Sequence, residues 1–258
     1  MDLGLKEKIV LVTGGTKGIG RACAALFVAE GARVAITARS ADAVSAEAEV
    51  LGCALGIPAD LSHADAAASM LAEVQDQVGE IDILVNCAGA ARRRTPEELT
   101  PAAYREAMDA KFFPYINVTD LLIKRMAERG AGVIVNVIGN GGRVASPIHL
   151  AGGSANAALM LVTAGLAHTY AEYGVRVVGL NPALTNTERV ADGVKADAAR
   201  LGISEEMAYA RGQKSFPLGR MAEPDEIANV VAFLASDRAS YVTGTNITMD
   251  GAKYPTVV

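Results

Sequence analysis

The sequence predicts an α/β fold, in which one doubly wound domain holds a parallel sheet between helices on both faces. Short apolar runs without alternation, such as 9–12 and 133–137, alternate with Ala-rich segments whose apolar residues recur at helical spacing. Strands that are continuously apolar are buried on both faces, as parallel strands covered by helices are. No Gly/Ser/Pro-rich linker divides this alternation, so we expect a single domain over residues 1–258.

The elements follow one another as strand and helix along most of the chain. Apolar, β-branched runs predict strands at 9–12, 33–37, 83–85, 133–137, 175–178 and 246–249. Helical spacing predicts helices at 19–30, 41–50, 63–78, about 100–128, 149–172 and 225–235. The remaining segment, about 183–218, is too long for an ordinary connection and is expected to be a functional lid or substrate-binding loop.

Composition and charge argue against several classes of protein. Apolar residues make up 51% and charged residues 21% of the chain, which is typical of a protein with a packed core and not of a disordered one. The net charge of −5 and the lack of a long basic run argue against nucleic acid as a partner. No secretory segment opens the chain and no stretch has the length of a membrane span, so we expect a cytoplasmic protein without a membrane partner.

The three cysteines give no sign of a metal site or of a disulfide framework. Cys23, Cys53 and Cys87 lie far apart in the sequence and lack the spacing of metal ligands. We interpret them as reduced thiols of a cytosolic protein, and we expect no bound metal.

A glycine-rich turn, Thr13-Gly14-Gly15-Thr16-Lys17-Gly18-Ile19-Gly20, follows the first strand and opens the first helix. Its glycines let the backbone approach a pyrophosphate, whose charge is favoured by the free N–H groups and the dipole at a helix N-terminus. Glycines also end strands for structural reasons alone, but the strand before this turn and the helix after it favour dinucleotide binding. The domain is therefore expected to be of the Rossmann type, with its cofactor on Gly14, Thr16, Lys17, Gly18, Ile19 and Gly20.

The end of the second strand bears on the choice between NAD(H) and NADP(H). An acidic residue there would accept a hydrogen bond from a free ribose 2′-hydroxyl. This chain instead reads Thr37-Ala38-Arg39, and Lys17 adds a second cation in the glycine turn. Two cations without a carboxylate suit a 2′-phosphate, so NADP(H) is predicted over NAD(H). The alternative is that both cations are solvated surface charges.

Further motifs stand in order along the rest of the chain. They are Asp60-Leu61, Asn86-Cys87-Ala88-Gly89 and Asn181-Pro182-Ala183 with Thr187. Together with the TGxxxGxG turn at 13–20, they resemble the adenine-contacting pair, the NNAG element and the PGxxxT segment of the short-chain dehydrogenase/reductase family. The resemblance covers almost the whole chain, and it implies further cofactor contacts at Asp60, Leu61, Asn86, Ala88, Gly89, Pro182, Ala183 and Thr187.

The chain departs from this family at all four positions that the resemblance marks as catalytic. The family uses a Tyr with a Lys in a Tyr-x-x-x-Lys spacing, a Ser thirteen residues before the Tyr and an Asn on the preceding long helix. Here these positions are occupied by Gly152, Asn156, Gly139 and Lys111, respectively. No Tyr occurs between residues 115 and 170 and no Lys between 124 and 195, so a one-residue shift does not restore the pattern. We therefore predict a divergent member that lacks the usual Asn-Ser-Tyr-Lys set.

Three polar residues are candidates to replace the missing groups. His149 lies three residues before Gly152 and seven before Asn156, so a helix would bring all three to one face. A histidine near its ordinary pKa can act as general acid or base. Our hypothesis is that His149 transfers the proton while Lys111 stabilises a developing oxyanion, with Asn156 beside them. The alternative is that His149 caps or packs at the start of a helix.

A run of three arginines, 92–94, follows the Asn86–Gly89 motif, where the family's chain skirts the mouth of the cleft. Three guanidinium groups could bind a carboxylate or the phosphates of a CoA thioester. Most charge runs are solvated faces, and that alternative stays open for this one.

These residues lead to one predicted function and two alternatives. The prediction is an NADP(H)-dependent oxidoreductase that acts on a small-molecule carbonyl/alcohol pair through an atypical active site. The alternatives are a non-redox enzyme on the same scaffold, such as a lyase, isomerase or hydratase, and a catalytically silent subunit that binds the cofactor. The resemblance also implies a homo-oligomer, a tetramer or a dimer, assembled through the helices at about 100–128 and 149–172.

Overall fold

A computed structural model describes residues 2–255, apart from the side chains of residues 192, 196 and 200. Seven parallel strands form one sheet in the order β3-β2-β1-β4-β5-β6-β7, which confirms the predicted α/β fold. The strands are β1 (Ile9–Thr13), β2 (Arg33–Ala38), β3 (Leu55–Pro58), β4 (Ile83–Asn86), β5 (Gly132–Val137), β6 (Val175–Pro182) and β7 (Asn246–Met249).

Helices cover both faces of this sheet. They are α1 (Gly18–Ala29), α2 (Ala41–Leu51), α3 (Ala64–Gln77), α4 (Pro101–Ala107), α5 (Phe113–Arg129), α6 (Leu150–Tyr170), α7 (Glu188–Leu201), α8 (Glu205–Lys214) and α9 (Pro224–Ala235). The side chains of successive residues in a strand point to opposite faces of the sheet. Thus Val12 of β1 packs in one apolar layer with Phe27 of α1, whereas its neighbour Leu11 packs in the other layer with Leu71 of α3.

Two elements differ from the prediction made by apolar spacing. β3 did not stand out as an apolar run, because it is a four-residue edge strand in which only Ile57 is buried. The helix expected at about 100–128 is divided by a π-helical turn, Met108–Phe112, between α4 and α5. A π-turn inserts a residue into the helical ladder, and such insertions are frequent at functional sites.

One segment contradicts the expectation that no stretch is long enough to span a membrane. Residues Leu150–Tyr173, which include α6, are long and apolar enough to do so by length and composition. Its buried stripe has a spacing of four residues and packs on the sheet, at Ala151, Ala155, Leu159, Thr163 and Ala167. The helix therefore has the apolar character and the packing of a core helix.

The order of strands reverses between β1 and β4. Connections leave β1 and β4 toward opposite halves of the sheet, which opens a crevice beyond their carboxyl ends. Ligands of open α/β sheets bind in the crevice at such a reversal. The motifs predicted to bind the cofactor follow these strands, so the fold brings them to one edge.

Candidate active site at the carboxyl edge of the sheet

A buried chain of hydrogen bonds joins the central strands at this edge. Asn86 ends β4, and its Nδ2 donates to Asn136 Oδ1 of β5 (2.9 Å) and to Thr119 Oγ1 of α5 (3.1 Å). Asn136 Nδ2 in turn donates to Thr163 Oγ1 of α6 (2.9 Å). All four side chains are buried, so each bond satisfies a group that would be costly to leave without a partner. The network sets the positions of α5 and α6 relative to the sheet.

The glycine turn is held against the loop that follows β4. Thr13 Oγ1 accepts the N–H groups of Cys87 and Ala88 at 3.1 Å each. A Cβ on Gly14 would lie 3.0 Å from the backbone of Ala88, and one on Gly20 would lie 2.2 Å from the Gly14 carbonyl oxygen. Only glycine fits at these two positions, because side chains would open the turn.

The start of α1 has the features of a pyrophosphate site. No acidic side chain lies in its first turn, and Lys17 at the N-cap makes no side-chain hydrogen bond to the helix. The first N–H groups of α1 therefore remain available to an anion. Thr187 stands directly against this start, because a Cβ on Gly18 would lie 3.1 Å from Thr187 Cγ2. Thr16 and Ile19 lie in the same turn, so the structure brings the predicted residues of this turn together with Thr187.

The two cations predicted for a 2′-phosphate lie in different surroundings. Arg39 is exposed just after β2, and its charge, together with His63, contributes to lowering the pKa of Asp60. The main cause of that lowered pKa is hydrogen bonding of the Asp60 carboxylate by Ser62. Lys17 instead pairs with Glu188 of α7, with 3.3 Å between Lys17 Nζ and Glu188 Oε2. Arg39 is thus the cation that stays at the end of β2.

The other predicted cofactor residues line the same edge. Leu61 is buried, and its carbonyl oxygen accepts Asn117 Nδ2 at 2.9 Å. Pro182 ends β6, and the N–H of Ala183 donates to the Met249 carbonyl at 3.0 Å. Gly89 adopts φ +103°, and its missing side chain allows a close approach to the π-turn, since a Cβ there would lie 2.5 Å from the Ala110 carbonyl.

The π-turn carries Lys111 into the interior. Lys111 Nζ donates to the hydroxyl of Tyr115 (2.7 Å) and to the carbonyl of Val137 (3.2 Å), and Tyr115 donates to the same carbonyl. Burial lowers the pKa of Lys111 from 10.5 to about 7, so its charge changes close to neutral pH. Such a base has the pKa that proton transfer near neutrality requires.

His149 occupies the space that a side chain at residue 152 would enter. A Cβ on Gly152 would lie 2.3 Å from Cε1 and 2.8 Å from Nδ1 of His149. On its other side, a Cβ on Gly141 would lie 2.9 Å from Cδ2 of the same ring. The imidazole is therefore wedged between two glycines. Its Nδ1 is buried, and no hydrogen-bond partner for it exists among the described residues.

The surroundings of His149 favour its neutral form. Burial lowers the pKa of the imidazole, and the positive charges of Arg93, Arg189 and Lys111 lower it further. His149 is also the N-cap residue of α6, but its side chain makes no capping bond to the helix. Packing at the helix start is therefore part of its role, and capping is not.

Gly139 and Asn156 are two further positions that were predicted to depart from the family pattern. Gly139 adopts φ +117°, and Asn156 Nδ2 donates to its carbonyl oxygen at 3.4 Å. A Cβ on Gly141 would lie 3.4 Å from the same Nδ2 and 2.9 Å from the ring of His149. The structure thus packs Asn156, Gly139, Gly152 and His149 close together.

The three arginines at 92–94 separate in the structure. Arg94 pairs with Glu106 of α4, whereas Arg92 and Arg93 are exposed. Arg189, in the first turn of α7, donates from Nη2 to the Ala91 carbonyl at 3.1 Å. Sequence reasoning missed Arg189, Tyr115 and Gly141 as site residues, because their roles depend on contacts between distant elements. Only the position of Arg189 at the start of the predicted lid could have pointed to it.

The described residues include neither a metal-binding cluster nor a disulfide. No group of three or more His, Cys, Asp or Glu side chains within them could hold a metal ion. Cys23, Cys53 and Cys87 are free thiols, and a hydrogen bond with Cys87 together with burial raises the pKa of Cys23. Burial also raises the pKa of Cys53 to about 11, so neither Cys23 nor Cys53 has the lowered pKa of a nucleophilic thiol.

Comparison with known proteins finds similarity along nearly the whole chain. A family model described as Enoyl-(Acyl carrier protein) reductase matches residues 14–252. D-threitol dehydrogenase of Mycolicibacterium smegmatis is 33% identical over 257 residues, which cover 97% of this chain and 94% of that protein. A solved short chain dehydrogenase/reductase family protein is 33% identical, with a TM-score of 0.82, and the match covers 97% of this chain and 98% of that chain.

A second solved structure extends the comparison to a protein with cofactor bound. It is an actinorhodin polyketide ketoreductase variant with NADPH, 27% identical, and its TM-score is 0.91. The match covers 96% of this chain and 97% of that chain.

Replacing Lys111 tests whether its burial costs stability. We expect Lys111→Met to raise the free energy of unfolding at pH 7 by about 1–3 kcal/mol, because it removes a buried charge and leaves the Tyr115 bond in place. The pKa of Lys111 is lower in the folded state than in the unfolded state, so the cost is full below about pH 7 and disappears as pH rises toward 10.5.

Urea unfolding at pH 7 and pH 10 measures this difference. Lys124→Met is the matched control, because Lys124 lies on α5, is exposed and pairs with Asp120 at the surface. A loss of stability in Lys111→Met at pH 7, or a gain of equal size at both pH values, contradicts the assignment.

Proposed function

The chain belongs to the short-chain dehydrogenase/reductase family, and on that premise we propose that it uses NADP(H) and that His149 performs the work of the family's tyrosine. Its family and its relatives make it an oxidoreductase of alcohol and carbonyl substrates. The single observation that carries the proposal is the imidazole of His149, which fills the space where a side chain at Gly152 would begin.

The cofactor proposal rests on the fit of the glycine turn and of Arg39. The turn at 13–20 leaves the first N–H groups of α1 free for the pyrophosphate, and Thr187 borders it. The resemblance adds Asp60 and Leu61 for the adenine. Arg39 is exposed beyond β2 and supports NADP(H) over NAD(H) through its charge. A bound nicotinamide accepts a hydride when an alcohol is oxidised and supplies one when a carbonyl is reduced.

His149 is proposed to take the alcohol's proton. Its pKa lies below the ordinary 6.5, so at neutral pH the ring is uncharged and can act as a base. Nδ1 is buried and lacks a partner among the described residues, so a substrate hydroxyl that reached this atom would satisfy it. In alcohol oxidation the ring accepts the hydroxyl proton, and in carbonyl reduction the protonated ring returns it. Reduction is therefore favoured as pH falls toward the pKa of His149.

Lys111 and Asn156 are proposed to support this proton transfer. Two of the three protons of the Lys111 ammonium are engaged by Tyr115 and Val137. Its charge lies close enough to lower the pKa of His149, and it would favour negative charge that develops on a substrate oxygen. Asn156 holds the carbonyl of Gly139 and is proposed as a positioning residue.

Neither a non-redox reaction nor a silent subunit is favoured by an observation at this site.

We propose that the protein acts in the cytoplasm as a homo-oligomer. Leu161 of α6 is 76% exposed and Phe113 of α5 is 41% exposed, and these apolar residues support an interface on the two helices that the family resemblance implies. The segment of about 183–218, which forms α7 and α8, is proposed as the lid over the substrate.

Adding one methyl group at residue 152 tests the position of the imidazole. We expect Gly152→Ala to displace the ring and to lower the kcat of alcohol oxidation about 10–100-fold, because a misplaced base loses its reactive geometry. Gly165→Ala is the matched control in α6, since a Cβ there meets nothing within 4 Å. Circular dichroism verifies that both variants fold. Wild-type turnover in folded Gly152→Ala would refute the proposed role of the wedge.

Substitution of Arg39 tests the cofactor preference. We expect the wild type to bind NADPH more tightly than NADH and Arg39→Ala to bind NADPH about 10–100-fold more weakly, with NADH affinity almost unchanged. Titration followed by the fluorescence of the reduced nicotinamide measures both affinities. Arg33→Ala, at the opposite end of β2, is the control. Tighter binding of NADH by the wild type contradicts the preference.

A further inference from the structure

Positive charge converges on the ring of His149 from separate segments of the chain. Arg93 comes from the loop after β4, Arg189 from the first turn of α7 and Lys111 from the π-turn. After burial, these three cations lower the pKa of the imidazole, and no carboxylate among the described side chains acts on it. Like charges gathered in this way are unfavourable unless an opposite charge joins them.

Arg93 and Arg189 lie where the loop after β4 meets α7. Arg189 donates to the carbonyl of Ala91, two residues before Arg93. Arg93 Nη1 would lie 3.9 Å from a Cβ on Gly193, one turn beyond Arg189 on α7. Ala91 in turn borders the imidazole, because its Cβ lies 2.8 Å from the position of a Cβ on Gly152. The guanidinium of Arg93 therefore extends from the loop to α7, and that of Arg189 extends from α7 to the loop.

Two neighbouring cations have carboxylate partners. Arg94 pairs with Glu106, and Lys17 pairs with Glu188, the residue next to Arg189. Among the side chains that the structure describes, Arg93 and Arg189 have no carboxylate partner. A guanidinium presents paired N–H donors that match a planar carboxylate. The contact between this loop and α7 thus carries two guanidinium groups that could bind a single anion.

We propose that the substrate is an oxo or hydroxy acid, whose carboxylate binds between Arg93 and Arg189 while its carbonyl or hydroxyl oxygen reaches His149. This inference rests on the proposed function, because it assigns a substrate class to the same site. Binding of the carboxylate joins the loop after β4 to α7, and so holds the proposed lid over the reacting oxygen. It also offsets the cations around His149, so the bound acid raises the pKa of the imidazole toward the value needed to donate a proton.

Pairs of substrates that differ only in the charge of the carboxyl group measure the contribution of the carboxylate to turnover. The probes are 4-oxopentanoate and 5-oxohexanoate, each compared with its neutral methyl ester in NADPH-dependent reduction. For the better chain length, we expect the wild type to prefer the acid over the ester by about 10–100-fold in kcat/KM. We expect Arg93→Gln and Arg189→Gln to lose that preference, so that their ratio of kcat/KM for the acid over the ester falls to about one.

Arg92→Gln is the matched control, since Arg92 is exposed beside Arg93 and is expected to keep the wild-type preference. A wild type that reduces the ester as well as the acid overturns the inference and leaves the proposed function intact. Variants that lose activity equally toward acid and ester overturn it as well.

A binding measurement separates failure of this inference from failure of the proposed function. The pKa of His149 is followed by ¹⁵N imidazole NMR in the NADP⁺-bound protein, with 4-oxopentanoate or 5-oxohexanoate added. We expect the acid to raise this pKa in the wild type and not in Arg93→Gln. No shift with either acid overturns the anion site, whatever the turnover. A shift without turnover of any acid or ester upholds the anion site and contradicts the proposed reaction.

Discussion

The two halves of the site depend on one buried set of hydrogen bonds at the carboxyl ends of β1, β4 and β5. Thr13 fixes the loop after β4 against the glycine turn, while Asn86 and Asn136 bind α5 and α6 to the sheet. Each member is buried, so a missing partner would cost about 1–3 kcal/mol. The same bonds therefore position the glycine turn and α6, the helix whose N-cap residue is His149.

The arrangement of the site also depends on glycines, whose missing side chains leave room for other groups. Gly152 and Gly141 make room for the imidazole of His149. Gly89 lets the loop after β4 lie against the π-turn, which buries Lys111. Burial then lowers the pKa of His149 below its ordinary value and that of Lys111 to about 7. A tyrosine at residue 152 could not occupy the same space as this ring. The ring of His149 and a side chain at residue 152 thus exclude each other.

The fold could be predicted from the sequence wherever the apolar pattern of a segment matches its burial in the structure. The apolar runs of β1 and β5 and the spacing of α6 reflect burial directly, whereas the edge strand β3 buries one side chain and gave no such signal. The glycine turn was recognisable because its residues are contiguous. The wedge of His149 and the bond from Arg189 to Ala91 join elements far apart in the chain, and the π-turn leaves no apolar pattern of its own. Such features follow from tertiary contacts and could not be derived from spacing.

If His149 is the base of the reaction, the rate of alcohol oxidation must follow the protonation of its imidazole. The measurement is kcat/KM for the best secondary alcohol, from pH 5 to 9, in the wild type and in His149→Gln. We expect wild-type activity to fall as pH drops through an apparent pKa below 6.5, because protonation removes the base. We expect His149→Gln to be about 10²–10⁴-fold slower and to lack this titration. A His149→Gln variant with wild-type activity and an unchanged pH profile would show that His149 is not the base.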